Sequence, residues 1–516
     1  MRRFLFTRVA LVGAVTGLPL AWGARLGAQG STFTVDTVAD PVSGDCSGGS
    51  GSLRQCIAAA AAAVPGPHVV DFSVDGVFIL TQGQLLVTTE VTIAGHGPSS
   101  TIFDGNQAGR VLLVASTGTL TMSGVTIRGG RSVQTADGAQ GDGEGGGILN
   151  LGALSLTDTA VTGNTVFGAG IDIAGGSIGQ ADGGGIFSGG GQLTVADSTI
   201  SANTARAQVD APDGQGHALG GGIMIVDSAT TLTNVTISGN VAVATGTVAD
   251  SRGGGMFFGP NNHPGIATNV TVTANTSARS SGVDDFGNYP FQNSIIAANT
   301  GSTNCPQPGP TLDGSGPGYN LDDDGTCFAR STDIHANPRL GPLADNGGPT
   351  QTHALMPGSP AVDGVGTGCP PPATDQRGVA RPFGPACDVG AFEAEIGNPP
   401  PSTTTTSTTV APTTTAATTT TIASTTTTTT AAPATTCFVS GLRPGPPKQQ
   451  DVTVQNTGGV AAVTNVQVDN GTVSVPPFAP GTTAPIVITA TKTDQTQRTV
   501  WSFDVRDSAG HSTHCG

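Results

Sequence analysis

The side chains equipped for acid–base chemistry are few in this chain and lie far apart. Asp284 and Asp285 form a carboxylate doublet, and Gly95-His96-Gly97 holds a histidine between glycines nearly two hundred positions earlier. Glycoside hydrolysis requires two carboxyl groups at a set separation, one to protonate the leaving oxygen and one to activate water or attack. A lyase requires acidic ligands for calcium beside an arginine or lysine base. Arg128, Arg206 and Arg252 are available, yet acidic partners do not recur on one strand face. Asp322-Asp323-Asp324-Gly325 offers oxygens to calcium, but an EF-hand loop alternates its ligands and closes on Glu, so this run reads as a solvated acidic turn beside Cys327. His511 and His514 read as surface residues rather than zinc ligands. The expectation is no catalytic residue, no metal and no cofactor.

The eight cysteines fall in close couples: Cys46 with Cys56, Cys305 with Cys327, Cys369 with Cys387, and Cys437 with Cys515. Eight cysteines admit about 105 pairings, so proximity alone suggests these four as structural disulfides. Disulfides belong to an oxidising compartment. No C-x-x-C spacing favours a metal instead. Arg2, Arg3 and Arg8 precede an apolar stretch from Val9 to Trp22 with small residues after it, the order of a secretory signal over residues 1–28. No transmembrane segment is expected in the mature chain, because the run is shorter than the roughly 18 residues a span needs. A net charge of -16 makes nucleic acid a poor partner.

Positioning elements emerge when the chain is aligned on itself. DTAVTGN, DSTISAN, NVTISGN, NVTVTAN and NSIIAAN superimpose without a gap, and EVTIAGH and GVTIRGG are weaker copies. Apolar positions alternate with Thr or Ser, as in Leu154, Leu156 and Val161 or Leu232, Val235 and Ile237, which is the pattern of a strand with one face inward. A fixed period without intervening helices marks a solenoid of stacked strands about 4.8 Å apart. Full copies open on a glycine run, Gly145 to Gly147, Gly183 to Gly185, Gly220 to Gly222 or Gly253 to Gly255, suited to tight corners. They close on Asn164, Asn203, Asn240, Asn275 or Asn299. Asn tolerates a left-handed corner, and stacked amides can bond one another, so this column is expected to be a structural ladder. His96 falls in the same column under this alignment.

Between each closing Asn and the next glycine run lie inserts at 131–144, 165–182, 204–219 and 241–252, which must leave one edge of the solenoid together. Phe167 is their one aromatic residue. Ser52 three residues ahead of Gln55 is a capping box, and the alanines that follow predict a helix from Ser52 to about Val64 over the end of the first coil. Asp375-Gln376-Arg377-Gly378 and Asp388-Val389-Gly390 suggest an arginine held by a carboxylate in the closing loops. Residues 399–436 are almost wholly Thr, Ser, Pro and Ala, a disordered stalk suited to glycosylation. Residues 437–516 return to alternating patterns and suggest a small Ig-like β-sandwich tied by Cys437 and Cys515.

Three stretches resemble known families. TFTVDTVAD with CSGGSGSLRQCI resembles the CSLREA domain of bacterial surface proteins, although Gly51 and Gln55-Cys56 stand where the name motif has Cys and Glu-Ala. The GGGI rungs resemble polymorphic outer-membrane protein repeats on a right-handed parallel β-helix, and residues 340–393 resemble the choice-of-anchor Q domain. The resemblance implies an all-β chain: a cap over 29–66, a single-stranded pectin-lyase-like solenoid over 67–339 and its C-terminal part over 340–398. It implies a secreted or surface-displayed protein and carries no catalytic residues. No sorting motif, apolar tail or lipobox cysteine is recognisable, and the anchoring route and oligomeric state stay open. The leading expectation is adhesion or binding to an extracellular glycan or cell-surface protein through the inserts. The alternatives are a purely structural role and a polysaccharide lyase or hydrolase, although polygalacturonases place their GHG after the acidic doublet and this chain places it before.

Overall fold

The structure is a computed structural model. It describes residues 30–395, apart from 42–43, 47, 64–67, 135–142, 174–175, 210–212, 260–263, 286–288, 307–311 and 313–317, and it describes the backbone of seven strands between 435 and 515. The signal reading over 1–28, nearly all of the stalk and the pairing of Cys437 with Cys515 lie outside what is described. The chain divides into two units, Met1–Thr406 and Ser407–Gly516.

In the first unit the alternation acts as a strand pattern. Leu154, Leu156 and Val161 are buried, while Ser155 and Thr157 between them point outward. Each coil lays down one strand, turns a corner and lays down a second, as Ala153–Thr157 and Ala160–Thr162 do. Pairing is parallel from coil to coil. Ala160 pairs with Thr199, Thr199 with Thr236, Thr236 with Thr271 and Thr271 with Ile295. The aligned copies therefore lie side by side in one long body sheet. After the glycine run the chain adds a strand to a second parallel sheet, the return sheet, where Ile148, Ile186, Ile223, Met256 and Val283 are fully buried opposite the body sheet. Burial of each such side chain contributes about 1.5–3 kcal/mol.

The corner between paired body strands belongs to a column just before the repeat's apolar triplet. Asp158, Asp197, Asn234, Asn269 and Asn293 hold φ of 48°, 49°, 53°, 55° and 51°, a left-handed conformation that short polar side chains accept. At the other end of the repeat the left-handed residue is Gly163, Ala202, Gly239, Ala274 or Ala298, one place before the closing Asn. The closing Asn itself does not take the corner, a correction to the expectation.

One alignment also fails. Val91, Thr92 and Ile93 pair with Leu120, Thr121 and Met122, not with Thr126–Arg128, whose partner in that coil is Ile102–Asp104. Six residues, 95–100, occupy the bend where the next coil has two, 124–125, and this longer bend displaces the second strand and takes His96 out of the asparagine column. Its imidazole instead meets Asp75 at 2.7 Å.

Among the described residues there is one helix, Leu53–Ala62, and its capping box is complete: Ser52 accepts from the Gln55 amide, and the Gln55 side chain accepts from Ser52 N. Leu53, Cys56, Ile57 and Ala60 are buried, and Cys46 is bonded to Cys56. The last rungs are the two-residue strands Leu321–Asp322 and Ile334–His335 beside the Cys305–Cys327 bond. Residues 340–394 then add no rung. Leu340–Ala344 pairs antiparallel with Thr352–Leu355, and the segment runs back as a strap across the second body strands.

In the second unit, Thr435–Arg443, Lys448–Asn456, Ile486–Lys492 and Gly471–Ser474 form one antiparallel sheet. Val460–Val468, Trp501–Asp507 and Ser512–Cys515 form another.

Candidate binding surface

The closing Asn is the pivot from which each insert leaves the body. Asn240 Oδ1 accepts from Asn203 N and Asn203 Nδ2, both at 3.0 Å, and Asn240 Nδ2 donates to Ile200 O at 3.0 Å and to Asn275 Oδ1 at 2.9 Å. The same four-bond pattern links Asn164 to Asn203 and Asn275 to Asn299. Asn164, Asn203, Asn240 and Asn275 are wholly buried, so each amide is satisfied only by this column and the adjoining backbone. The glycine run is where the insert re-enters, and it crosses directly over the pivot. A Cβ on Gly185 would stand 2.8 Å from Asn203 Nδ2, and one on Gly184 would stand 2.5 Å from the Thr204 carbonyl carbon. The two sequence signals are thus the two sides of one closed neck.

Beyond the neck the inserts are not irregular loops. Arg131–Val133, Thr165–Ala169, Thr204–Gln208 and Val241–Ala244 stack in parallel as an outgoing layer. Gly176–Asp182, Gln215–Leu219 and Val248–Arg252 stack in parallel as an incoming layer. Val166, Ala205, Ala207 and Ala242 of the first layer meet Ala181 and Ala218 of the second in a small buried core. The layers approach so closely that a Cβ on Gly168 would come within 2.3 Å of Gln180 O. The result is a two-layered fin whose facing positions are mostly Gly and Ala, with Val166 the larger side chain of its core.

On the fin's other side the incoming layer folds against the outer face of the return sheet, where Leu219 packs on the stack Leu149, Phe187, Met224 and Phe257. Charge is graded along this joint. Glu144 pairs with Asp182, Asp182 with Leu219, Leu219 with Arg252 and Arg252 with Arg279. Arg252 Nε reaches Asp250 at 2.8 Å. Asp182 is 2% exposed, its Oδ2 accepts from Gln180 Nε2 at 2.6 Å and its Oδ1 has no hydrogen-bond partner among the described residues. Burial, with Glu144 beside it, pushes its carboxyl up to about 7. A raised carboxyl pKa stabilises the fold fully at pH below the ordinary value near 4, and that contribution is lost as pH rises through about 7. We therefore expect Asp182→Asn to be the more stable protein at pH 8.5, with the advantage shrinking towards pH 5. Paired melting curves across that range test this; a constant difference would refute the assignment.

The other flagged residues do not converge. His96 and Asp284 stand five coils apart, roughly 24 Å at one strand spacing per coil. Asp284 is buried, which raises its pKa, beside Arg252 and Arg279, and Asp285 accepts from the Tyr289 amide. Arg128 is paired with Asp104 at 2.8 Å. The acidic turn is only partly solvated: Asp322 is fully buried and accepts from Cys327 N at 2.8 Å, and Asp324 accepts from Asn304 N at 2.8 Å. Asp323 receives Asn304 Nδ2 at 2.7 Å, and Asn304 receives Asn299, so the turn terminates the amide column. Cys327 lies against Asp322 and Asp324 but its sulfur is in a disulfide. His511 and the side chain of His514 lie outside the described residues.

The strap explains the polar motifs near the C-terminal end of the unit. Arg377 binds Asp375 at 2.7 Å and lies 3.6 Å over the Phe392 ring, and the buried Gln376 reaches Thr236 Oγ1 at 2.6 Å and Thr199 Oγ1 at 2.9 Å. His353 donates from Nδ1 to Gly341 O and accepts Ser238 Oγ at Nε2, at 2.7 and 2.8 Å. These bonds fasten the strap to the coils rather than closing the end loops. Cys369–Cys387 lies within it. Sequence reading missed both the strap's course and the layered fin. The fin's signal was the Ala and Gly at alternate insert positions. Compared with protein-family models, curated proteins and solved structures, the chain matches none.

Proposed function

We propose that this chain is an exported, non-catalytic surface protein that meets an extracellular glycan or cell-surface protein through the fin. In this reading the body is a right-handed parallel β-helix of the pectin-lyase type, followed by a Thr-rich stalk and an Ig-like sandwich. The observation that carries it is the contrast between parts: the neck repeats one joint coil after coil, while the fin faces vary and project from a single edge. Disulfides at Cys46–Cys56, Cys305–Cys327 and Cys369–Cys387 support an oxidising compartment. Among the described residues no helix is long and apolar enough to cross a membrane. The likeness of residues 32–57 and 340–393 to CSLREA and choice-of-anchor Q domains supports surface display.

A bulky label on a single cysteine introduced as Ala249→Cys, on the exposed fin tip, is expected to abolish binding to cells or matrix at unchanged melting temperature. The same label at Ser116→Cys, exposed on the body, should leave binding intact. Binding that survives the fin label would overturn the proposal. Release of unsaturated or shortened sugars from a polysaccharide panel, with or without calcium, would replace it with an enzyme.

A further inference from the structure

The outer face of the fin's outgoing layer has a composition found nowhere else on its four strands' inner side. Alternate residues point inward, and Ser132, Val166, Ala205 and Ala242 are buried. The outward residues form two register columns, Val133, Phe167, Arg206 and Val243 in one, Arg131, Thr165, Thr204 and Val241 in the other. Phe167 is half-buried, while Arg131 and Arg206 are exposed. The Arg131 guanidinium lies 6.0 Å from the Phe167 ring centre on one side. Arg206 is the direct neighbour of Phe167 on the other, its Nη2 3.1 Å from Gln208 Oε1. The four strands read RSV, TVFGA, TARAQ and VAVA and contain no acid, in a chain whose net charge is -16.

We propose that this face binds a carboxylated sugar, with Phe167 as the platform for the ring and Arg131 and Arg206 as the groups that receive the carboxylate. A pyranose has an apolar C–H face that an aromatic ring covers and a polar rim. A guanidinium offers a planar fork that matches a carboxylate with two bonds at once. Arg206 sits one strand spacing, roughly 4.8 Å, to one side of Phe167, and Arg131, two residues along the strand on the other side, brings its guanidinium to 6.0 Å from the ring centre, which places both within reach of substituents on one stacked sugar. Thr165 and Thr204 line the same face with hydroxyls for the sugar rim. The whole-chain charge sets the ligand's density of charge. A dense polyanion is repelled at long range, whereas a largely neutral glycan with an occasional carboxylate feels only the local cations, because charges beyond about 8 Å are screened at physiological salt. The biological use of this site rests on the fin being the partner-binding part; the binding itself does not.

The test titrates the full chain with an oligosaccharide ending in glucuronic acid and with the same oligosaccharide ending in glucose. The acidic sugar is expected to bind at least about tenfold tighter, as one charge-assisted pair implies. That preference should fall to near unity in Arg131→Gln and Arg206→Gln. Phe167→Leu, which keeps the volume and removes the ring, should weaken both sugars about equally. Melting temperatures should stay unchanged in all three variants. Equal binding of the two sugars, or a preference that survives both arginine substitutions, overturns the proposal. Loss of cell binding on labelling the fin tip without any glucuronate preference sinks this inference alone. Glucuronate preference with cell binding indifferent to the tip label sinks the fin reading alone.

Discussion

Arg381→Met is expected to detach the strap from the coils while leaving the coils folded. Arg381 and Glu393 are both wholly buried and meet at 2.7 Å; the guanidinium also donates to Asp388 O at 3.0 Å and Gly390 O at 2.7 Å. Methionine fills similar volume but leaves Glu393 as a buried charge held only by the amides of Phe383 and Asp388. Breaking one side of such a pair costs about 3–5 kcal/mol, whereas replacing both sides with apolar groups is often neutral. The loss falls on the strap because the carbonyls that Arg381 gathers are those that accept Asn269 Nδ2 from the body. Hydrogen exchange should therefore accelerate across 340–394, with strands such as Leu232 to Ile237 still protected. The double substitution Arg381→Met with Glu393→Leu should recover much of the protection. Uniform loss of protection along the body, or none in the strap, would contradict this account.

Asn240→Leu should be at least as costly and should act on the body instead. It strands the Asn203 amide, the Asn203 side-chain donor and the Ile200 carbonyl in a site from which water is excluded. At about 1–3 kcal/mol for each stranded group, the total is on the order of 5 kcal/mol, beyond what most single substitutions cause. Asn240→Asp keeps the acceptor and removes the donor, so it should protect the Asn203 amide while still weakening the joint to Asn275. Denaturant unfolding and exchange at Asn203 separate the two. A leucine variant within 1 kcal/mol, on the order of a neutral surface change, would mean that the column is decoration.

How much of this could be read from residue order depends on whether the cause is local. The parallel stacking follows from Leu154, Val161 and their copies because a strand's period of two shows which side chains face inward. The asparagine column was visible because five copies align without a gap, yet its corner was misplaced: a repeat shows that Asn recurs, not which of two adjacent residues takes positive φ. EVTIAGH misled because Val91, Thr92 and Ile93 have the same local pattern as a second strand. Only the partner, Leu120 to Met122, distinguishes them. The closure of the neck was out of reach for the same reason, since Gly185 and Asn203 touch across 18 residues. The strap is further still from local pattern. Gln376 finds Thr199 at a separation of 177 residues, and nothing in Asp375-Gln376-Arg377-Gly378 says which surface it will meet. The sugar face lay between these limits: Phe167 stood out as the lone aromatic insert residue, but its flanking by Arg131 and Arg206 needed the register.

The neck also bears on how such a chain can grow. An amide whose side-chain partners are its own kind above and below, with backbone carbonyls for the rest, cannot tell one neighbouring coil from another. A segment running from one closing Asn to the next could be duplicated or excised in the gene without presenting a mismatched surface to either side. The body's length is then quantised at about 4.8 Å per coil, and each unit copied from between Asn164 and Asn275 brings its own fin strand pair. Lineages descended from such a chain should differ in reach by whole coils, with the displayed face lengthening in step.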